Sequence, residues 1–229
     1  MKNLGVIGGV SWESTAVYYK LINENIKEQL GGLHSAPIIL FSMNYQELVN
    51  YKNQNQWDKL SDKLCETAKK LEQAGADSVI LCCNTLHKVA EDIEQSITIP
   101  FLHIVDAAGL RLQKENCKKI GLLGTQFTLE DGFYHARLME KFQMDVIVPD
   151  RHSRMVLDAI IYNELCVGVF SEESKQILMK IIDSLVEQGA QAVLLGCTEL
   201  GMLVHADAYR VPIFDTTILH VDLATSWVI

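Results

Sequence analysis

Apolar residues along this chain fall into two kinds of run. The first kind is short and unbroken: Leu4-Gly-Val-Ile-Gly8, Pro37-Ile-Ile-Leu-Phe-Ser42, Ser78-Val-Ile-Leu-Cys82, Ile99-Pro-Phe-Leu-His103, Lys119-Ile-Gly-Leu-Leu-Gly124, Asp145-Val-Ile-Val148 and Ala192-Val-Leu-Leu195. These runs have strand length and no polar alternation. The second kind is longer and recurs at helical spacing, as with Leu60, Leu64, Ala68 and Leu71 within 57–74. On this pattern helices are expected from Ser11, which is suited to cap the first of them, over 57–74, 85–95, about 128–142, 153–165 and 171–188, and again after Cys197. Apolar strands that alternate with helices predict an α/β fold whose parallel strands are covered by helices on both faces.

The pattern also repeats. Leu71-Glu-Gln-Ala-Gly-Ala-Asp-Ser-Val-Ile-Leu-Cys-Cys83 aligns without a gap on Leu185-Val-Glu-Gln-Gly-Ala-Gln-Ala-Val-Leu-Leu-Gly-Cys197. Two further pairs keep the same order, Gly5-Val-Ile-Gly-Gly9 with Gly121-Leu-Leu-Gly-Thr125, and Ile99-Pro-Phe-Leu-His103 with Val211-Pro-Ile-Phe-Asp215. A duplication is therefore expected, giving two similar lobes related by pseudo-twofold symmetry. The first would span 1–103 plus 214–229 and carry Cys83, the second 104–213 and carry Cys197, with the active site in the cleft between. Ligands of parallel sheets bind beyond the carboxyl ends of the strands. Those ends hold Gly8 to Ser11, Ser42 to Tyr45, Cys83 to Thr85, Thr125 to Thr128 and Cys197 to Glu199.

Two thiols in equivalent settings suit a reaction that takes a proton from one face of a carbon and returns it to the other. One must enter as thiolate and one as thiol. Free N–H groups at the helix starts expected after each cysteine would favour the thiolate, and with Thr85, Thr198 and Asn84 they could bind a carboxylate and a developing carbanion. Cys82, Cys65 and Cys117 read as small buried hydrophobes; strand alternation turns Cys82 away from Cys83. His87 either tunes the Cys83 thiol or packs on its helix, and Glu199 either bonds a site group or faces solvent. The Gly8-Gly9 turn lacks the spacing of a dinucleotide loop, and no cysteine has the spacing of a metal ligand.

Bulk properties narrow the class. A net charge of −9 and the lack of a Lys/Arg cluster argue against nucleic acid. No apolar run approaches the roughly 18 residues of a membrane helix. Six irregularly spaced cysteines fit a reducing cytoplasm, and the first residues read as a strand and not as a signal peptide.

The motifs Gly8-Gly-Val-Ser-Trp-Glu-Ser-Thr15, Cys83-Asn-Thr-Leu-His87, Gly121-Leu-Leu-Gly-Thr-Gln-Phe-Thr128 and Gly196-Cys-Thr-Glu199 resemble the aspartate/glutamate racemase family, within it the aspartate or broad-specificity amino acid racemases. The resemblance covers essentially the whole chain. It implies a cofactor-independent, homodimeric racemase with Cys83 and Cys197 as its acid/base pair and Ser11, Asn84, Thr85, Thr125 and Thr198 lining the site; our own assignment gives the L enantiomer to Cys197 and the other to Cys83. It further implies that glutamate specificity is disfavoured, because Val10-Ser11 and Cys197-Thr-Glu199 stand where glutamate racemases carry an aspartate and a Cys-Thr-His motif. Aspartate-specific members carry a lysine where this chain offers Cys166. A distal carboxylate would then need another cation, and Lys52, in the loop region after the second strand, is either that cation or a solvated surface lysine. Two alternatives remain at this stage, a maleate isomerase or hydantoin racemase on the same fold and a non-catalytic amino acid sensor. A Cys83–Cys197 redox pair is a third.

Overall fold

The computed structural model describes residues 1–204 and 209–229. The chain divides into two units, Met1–Ile104 with His220–Ile229, and Val105–Leu219.

In the first unit, strands β1 (Leu4–Gly8), β2 (Ile38–Ser42) and β3 (Ser78–Leu81) form a parallel sheet in the order β2-β1-β3. Leu81 of β3 lies beside Ile7 and Gly8 lies beside Ser42, so three strand ends are level. Phe101 adds one parallel bridge to Val79, less than the full strand expected over 99–103. Side chains alternate between the two faces of this sheet. Leu4, Val6, Ile80 and Cys82 pack with Tyr18, Ile22 and Ile26 of helix α1 (Trp12–Leu30) and with the apolar C-terminal residues Val221, Ala224 and Val228. Ile7, Val79 and Leu81 pack with Leu60, Leu64 and Leu71, and Cys83 lies against this second cluster.

Helix α2 (Tyr45–Asn53), capped by Asn44, was not announced by the apolar pattern: Leu48 is its one buried residue among those described. Lys52 therefore sits in the last turn of a helix and not in a loop. Helix α3 (Trp57–Gln73) matches the expected stripe. After β3, the expected helix over 85–95 becomes a 3-10 turn at Thr85–Val89 followed by α4 (Ala90–Ser96).

The second unit opens with helix α5, which starts at Ile104 and runs to Lys114. Strands β4 (Lys119–Leu123), β5 (Asp145–Ile147), β6 (Ala192–Leu195) and β7 (Ile213–Asp215) form a parallel sheet in the order β5-β4-β6-β7. Leu195 lies beside Leu123, as Leu81 lies beside Ile7, and the pair Val193 and Ile213 repeats the pair Val79 and Phe101. The repeat seen in the sequence is thus a repeat of strand order and register. Helices α6 (Gln126–Glu130) and α7 (Phe133–Phe142) replace the single helix expected over 128–142, because Gly132 takes φ 90° between them, a conformation that leaves the right-handed helix. Helices α8 (Arg151–Asn163), α9 (Glu172–Glu187) and the one-turn α10 (Leu200–Leu203) precede α11 (Thr216–Val228), whose C-terminal part belongs to the first unit. Among the described residues no helix is long and apolar enough to cross a membrane.

Candidate active site

At the end of β1 the chain turns through Gly9, φ 78°, and enters α1 at Ser11. The Gly9 N–H donates to Thr15 Oγ1 at 2.8 Å, and that hydroxyl donates to the Ser11 carbonyl at 2.8 Å. Ser11 Oγ caps α1 by accepting from the Ser14 N–H at 3.3 Å. A Cβ on Gly9 would overlap the backbone N and O of Met43, which itself donates its N–H to the Gly8 carbonyl at 2.9 Å. The loops after β1 and β2 are therefore locked together beside the strand ends.

At the end of β3, Cys82 is fully buried and its thiol is pushed well above the ordinary range by that burial, then by Cys83. It is chemically silent at neutral pH. Cys83 faces the other side of the sheet and is half-buried. Asn84 is buried and Thr85 half-buried, both at the start of the 3-10 turn. His87 is 2% exposed, and its Nδ1 lies 2.7 Å from the Cys83 carbonyl oxygen. Lys52 is half-buried on α2.

The second unit presents the matching positions. Thr125, after β4, caps α6 through the Thr128 N–H at 3.3 Å and contacts Thr128 Oγ1 at 3.1 Å. Gly124 and Gly196 lie where β4 and β6 end side by side: a Cβ on Gly124 would stand 3.1 Å from the Gly196 carbonyl. Cys197 follows at once. It is 9% exposed, and its Sγ–H donates to Glu199 Oε2 at 2.8 Å. The same oxygen accepts from Thr198 Oγ1 at 2.7 Å. Burial first, then the Glu199 carboxylate, hold the Cys197 thiol well above the ordinary range, and Cys166 in the same unit adds to this.

This reverses the electrostatics expected from the sequence at Cys197. The helix after it is one turn long, too short for a useful dipole; the Glu199 N–H does bond the sulfur and favours its thiolate, but the Glu199 carboxylate and burial outweigh it. The geometry at Cys197 is that of a thiol donating to a carboxylate. We expect Glu199→Gln to lower the pH at which Cys197 reacts with iodoacetamide, because the substitution removes the charge while burial remains. Peptide mass spectrometry of Cys197 alkylation across pH 6–10 measures it, and an unchanged profile would contradict the role given to Glu199.

Three residues near these strand ends escaped the sequence reading as chemistry, although two of them close the repeated segments. His103 and Asp215 occupy equivalent positions, and His220 joins His103 around His87, with ring centroids 4.5 Å (His103) and 5.8 Å (His220) from that of His87. Asp215 is held above the ordinary carboxylate range, by burial first, and it accepts the Thr217 N–H at 2.7 Å. The signal available was their place at the carboxyl ends of strands that match in the repeat. Among the described residues, no group of three or more His, Cys, Asp or Glu is placed to hold a metal ion.

Residues 7–224 match the family model described as Asp/Glu/Hydantoin racemase. The broad specificity amino-acid racemase RacX of Bacillus subtilis (strain 168) is 28% identical over 163 residues, covering 70% of this chain and 68% of that protein. A crystal structure from Yersinia pestis, described as a candidate Asp/Glu racemase, is similar with TM-score 0.95 and 46% identity over 100% of this chain and 99% of that one. An aspartate racemase homologue from Pyrococcus horikoshii OT3 is similar with TM-score 0.89 and 32% identity, again over 100% and 99%.

Proposed function

The chain belongs to the Asp/Glu/hydantoin racemase family, a family of isomerases, and from that premise we propose that it interconverts the L and D forms of aspartate, or of a broader set of polar amino acids, without a cofactor. One thiol comes from each unit. The observation that carries this reading is the equivalent place of Cys83 and Cys197, each two residues beyond the end of β3 or β6, strands that hold the same register against β1 and β4.

In one direction the Cys83 thiolate takes the α-hydrogen as a proton, and the C–H electron pair stays on the substrate as a carbanion delocalised into its carboxyl group. The Cys197 thiol gives its proton to the opposite face. Turnover leaves Cys83 protonated and Cys197 as thiolate, the state needed for the other enantiomer. We assign the L enantiomer to Cys197 as base. Glu199 beside that thiolate makes it a stronger base, which suits a weakly acidic α-proton. Ser11, Asn84, Thr85, Thr125 and Thr198 line the substrate site in this proposal.

Substrate breadth follows from what stands near Cys197. Within the second unit, the Glu199 carboxylate and the thiol of Cys166 both act on it to hold its proton. Recognition of a distal carboxylate then rests on Lys52, and weak recognition widens the range of side chains accepted. The name of the Bacillus relative accords with that breadth. Six free cysteines accord with a reducing cytoplasm, where we place the enzyme as a homodimer.

A panel of L-amino acids incubated with the protein in deuterium oxide tests activity and specificity together. We expect loss of the α-proton NMR signal and of optical rotation, first for aspartate and other polar amino acids. Absence of exchange with every amino acid overturns the racemase reading, and exchange confined to 5-substituted hydantoins or isomerisation of maleate would move the chain to another reaction on this fold.

A further inference from the structure

We infer that His87 is a positioning residue for the Cys83 thiol, a role that rests on the two-thiol reading above. The hydrogen bonds fix its tautomer. The Ile104 N–H donates to Nε2 at 3.2 Å, so that nitrogen carries no proton. Nδ1 therefore bears the ring hydrogen and donates it to the Cys83 carbonyl at 2.7 Å. A protonated imidazole would place N–H against N–H at Ile104, so the neutral ring is the form that fits.

Packing keeps it there. The imidazole lies against Phe101 with centroids 5.5 Å apart and against His103 and His220. His220 is locked in the same manner: its Nε2 donates to the Leu102 carbonyl at 2.7 Å, which leaves Nδ1 to accept from Tyr18 Oη at 3.0 Å. Burial lowers the pKa of His220 to about 4, so its ring adds no cation beside His87.

A peptide group is planar and trans. Pinning the Cys83 carbonyl on the imidazole therefore points the Asn84 N–H of the same peptide the opposite way. The Asn84 carbonyl is tied down as well, by the His87 N–H at 3.1 Å. His87 thus fixes the orientation of two consecutive peptides directly after the thiol, and Cys83 ionises beside dipoles that cannot turn.

Among the described residues of the second unit, position 201 offers no such anchor. Gly201 stands four residues after Cys197, as His87 stands four after Cys83, and a Cβ on Gly201 would overlap the Asp215 carboxylate. The His87–His103 pair of one unit is replaced by Gly201 and Asp215 in the other. An effect of His87 should therefore fall on Cys83 alone.

Alkylation by iodoacetamide, followed separately at each cysteine by peptide mass spectrometry from pH 6 to 10, tests this without requiring turnover. With His87→Leu we expect Cys83 alkylation at pH 7.5 to slow about fivefold, the net effect of one hydrogen bond, with the midpoint of its profile moved up and Cys197 unaffected. With His87→Asn, whose amide keeps an N–H donor near the Cys83 carbonyl, the wild-type profile should largely return. If His87→Leu gives no folded chain by circular dichroism, His87→Ser takes its place with the same expectation, since its hydroxyl is too short to reach. An unchanged Cys83 profile overturns the role, as does an equal change at Cys197. Because the assay needs no substrate, failure of the racemase reading shows in the deuterium experiment and not here.

Discussion

Cys83→Ser and Cys197→Ser should each lower the racemisation rate by about 10³-fold, the scale of losing one general acid or base. A hydroxyl is smaller than a thiol and a much weaker acid, so each substitution removes proton transfer while adding no bulk to the site. The two variants should also fail differently. In Cys197→Ser the remaining thiol can still take a proton from one enantiomer and return solvent deuterium to the same face, giving exchange without inversion. Cys83→Ser should do the same with the other enantiomer. Chiral chromatography combined with NMR in deuterium oxide separates inversion from exchange. Either variant racemising at more than a tenth of the wild-type rate would sink the two-thiol mechanism, and a sensor that merely binds amino acids would show no loss in binding.

Gly9→Ala should destabilise the protein by roughly 2–5 kcal/mol. An L-residue at φ 78° costs about 1–2 kcal/mol, and forcing a methyl group into a filled site costs about 1–3 kcal/mol more. The filled site here is backbone: the new Cβ would meet Met43 N and O, which cannot rotate away as a side chain tip can. For a chain of 229 residues this corresponds to a melting temperature lower by roughly 10 °C. Gly168→Ala is the control, since Gly168 has φ 78° and ψ 18° but open space around it, and it should lose only the conformational part. A Gly9→Ala melting temperature matching that of Gly168→Ala would mean that the loop after β2 yields more easily than its contacts imply.

How far the sequence alone reaches can be seen element by element. Strands were legible because β1, β3 and β6 are buried along their whole length and β4 everywhere but at Lys119, so burial wrote itself into the sequence as unbroken apolar runs. The repeat was legible for the same reason, and it led to Cys83 and Cys197. Helix α2 was not, since a helix with one buried residue among those described leaves almost no periodic trace. Gly132 broke a helix through its backbone conformation, which a pattern of apolar positions does not record. Within the site, the types and places of Glu199 and His87 were plain, but not their partners. A carboxylate two residues from a thiol can face it or face solvent, and only folded coordinates show Glu199 Oε2 at 2.8 Å from Cys197 Sγ. Asp215 and His103 needed the sheet to bring them to strand ends.

The hydrogen bond from Cys197 to Glu199 reaches beyond the rate of any single step. Enantiomers have equal free energy in water, so at equilibrium their concentrations must match whatever the protein does. The ratio kcat/KM must therefore be the same for the L and D forms. If the carboxylate makes Cys197 a stronger base than Cys83 and so favours one half-reaction, the enantiomer that reacts with the larger kcat must show a KM larger by the same factor. A catalyst with unlike bases would then work faster on one hand at high concentration, and equally on both when substrate is scarce.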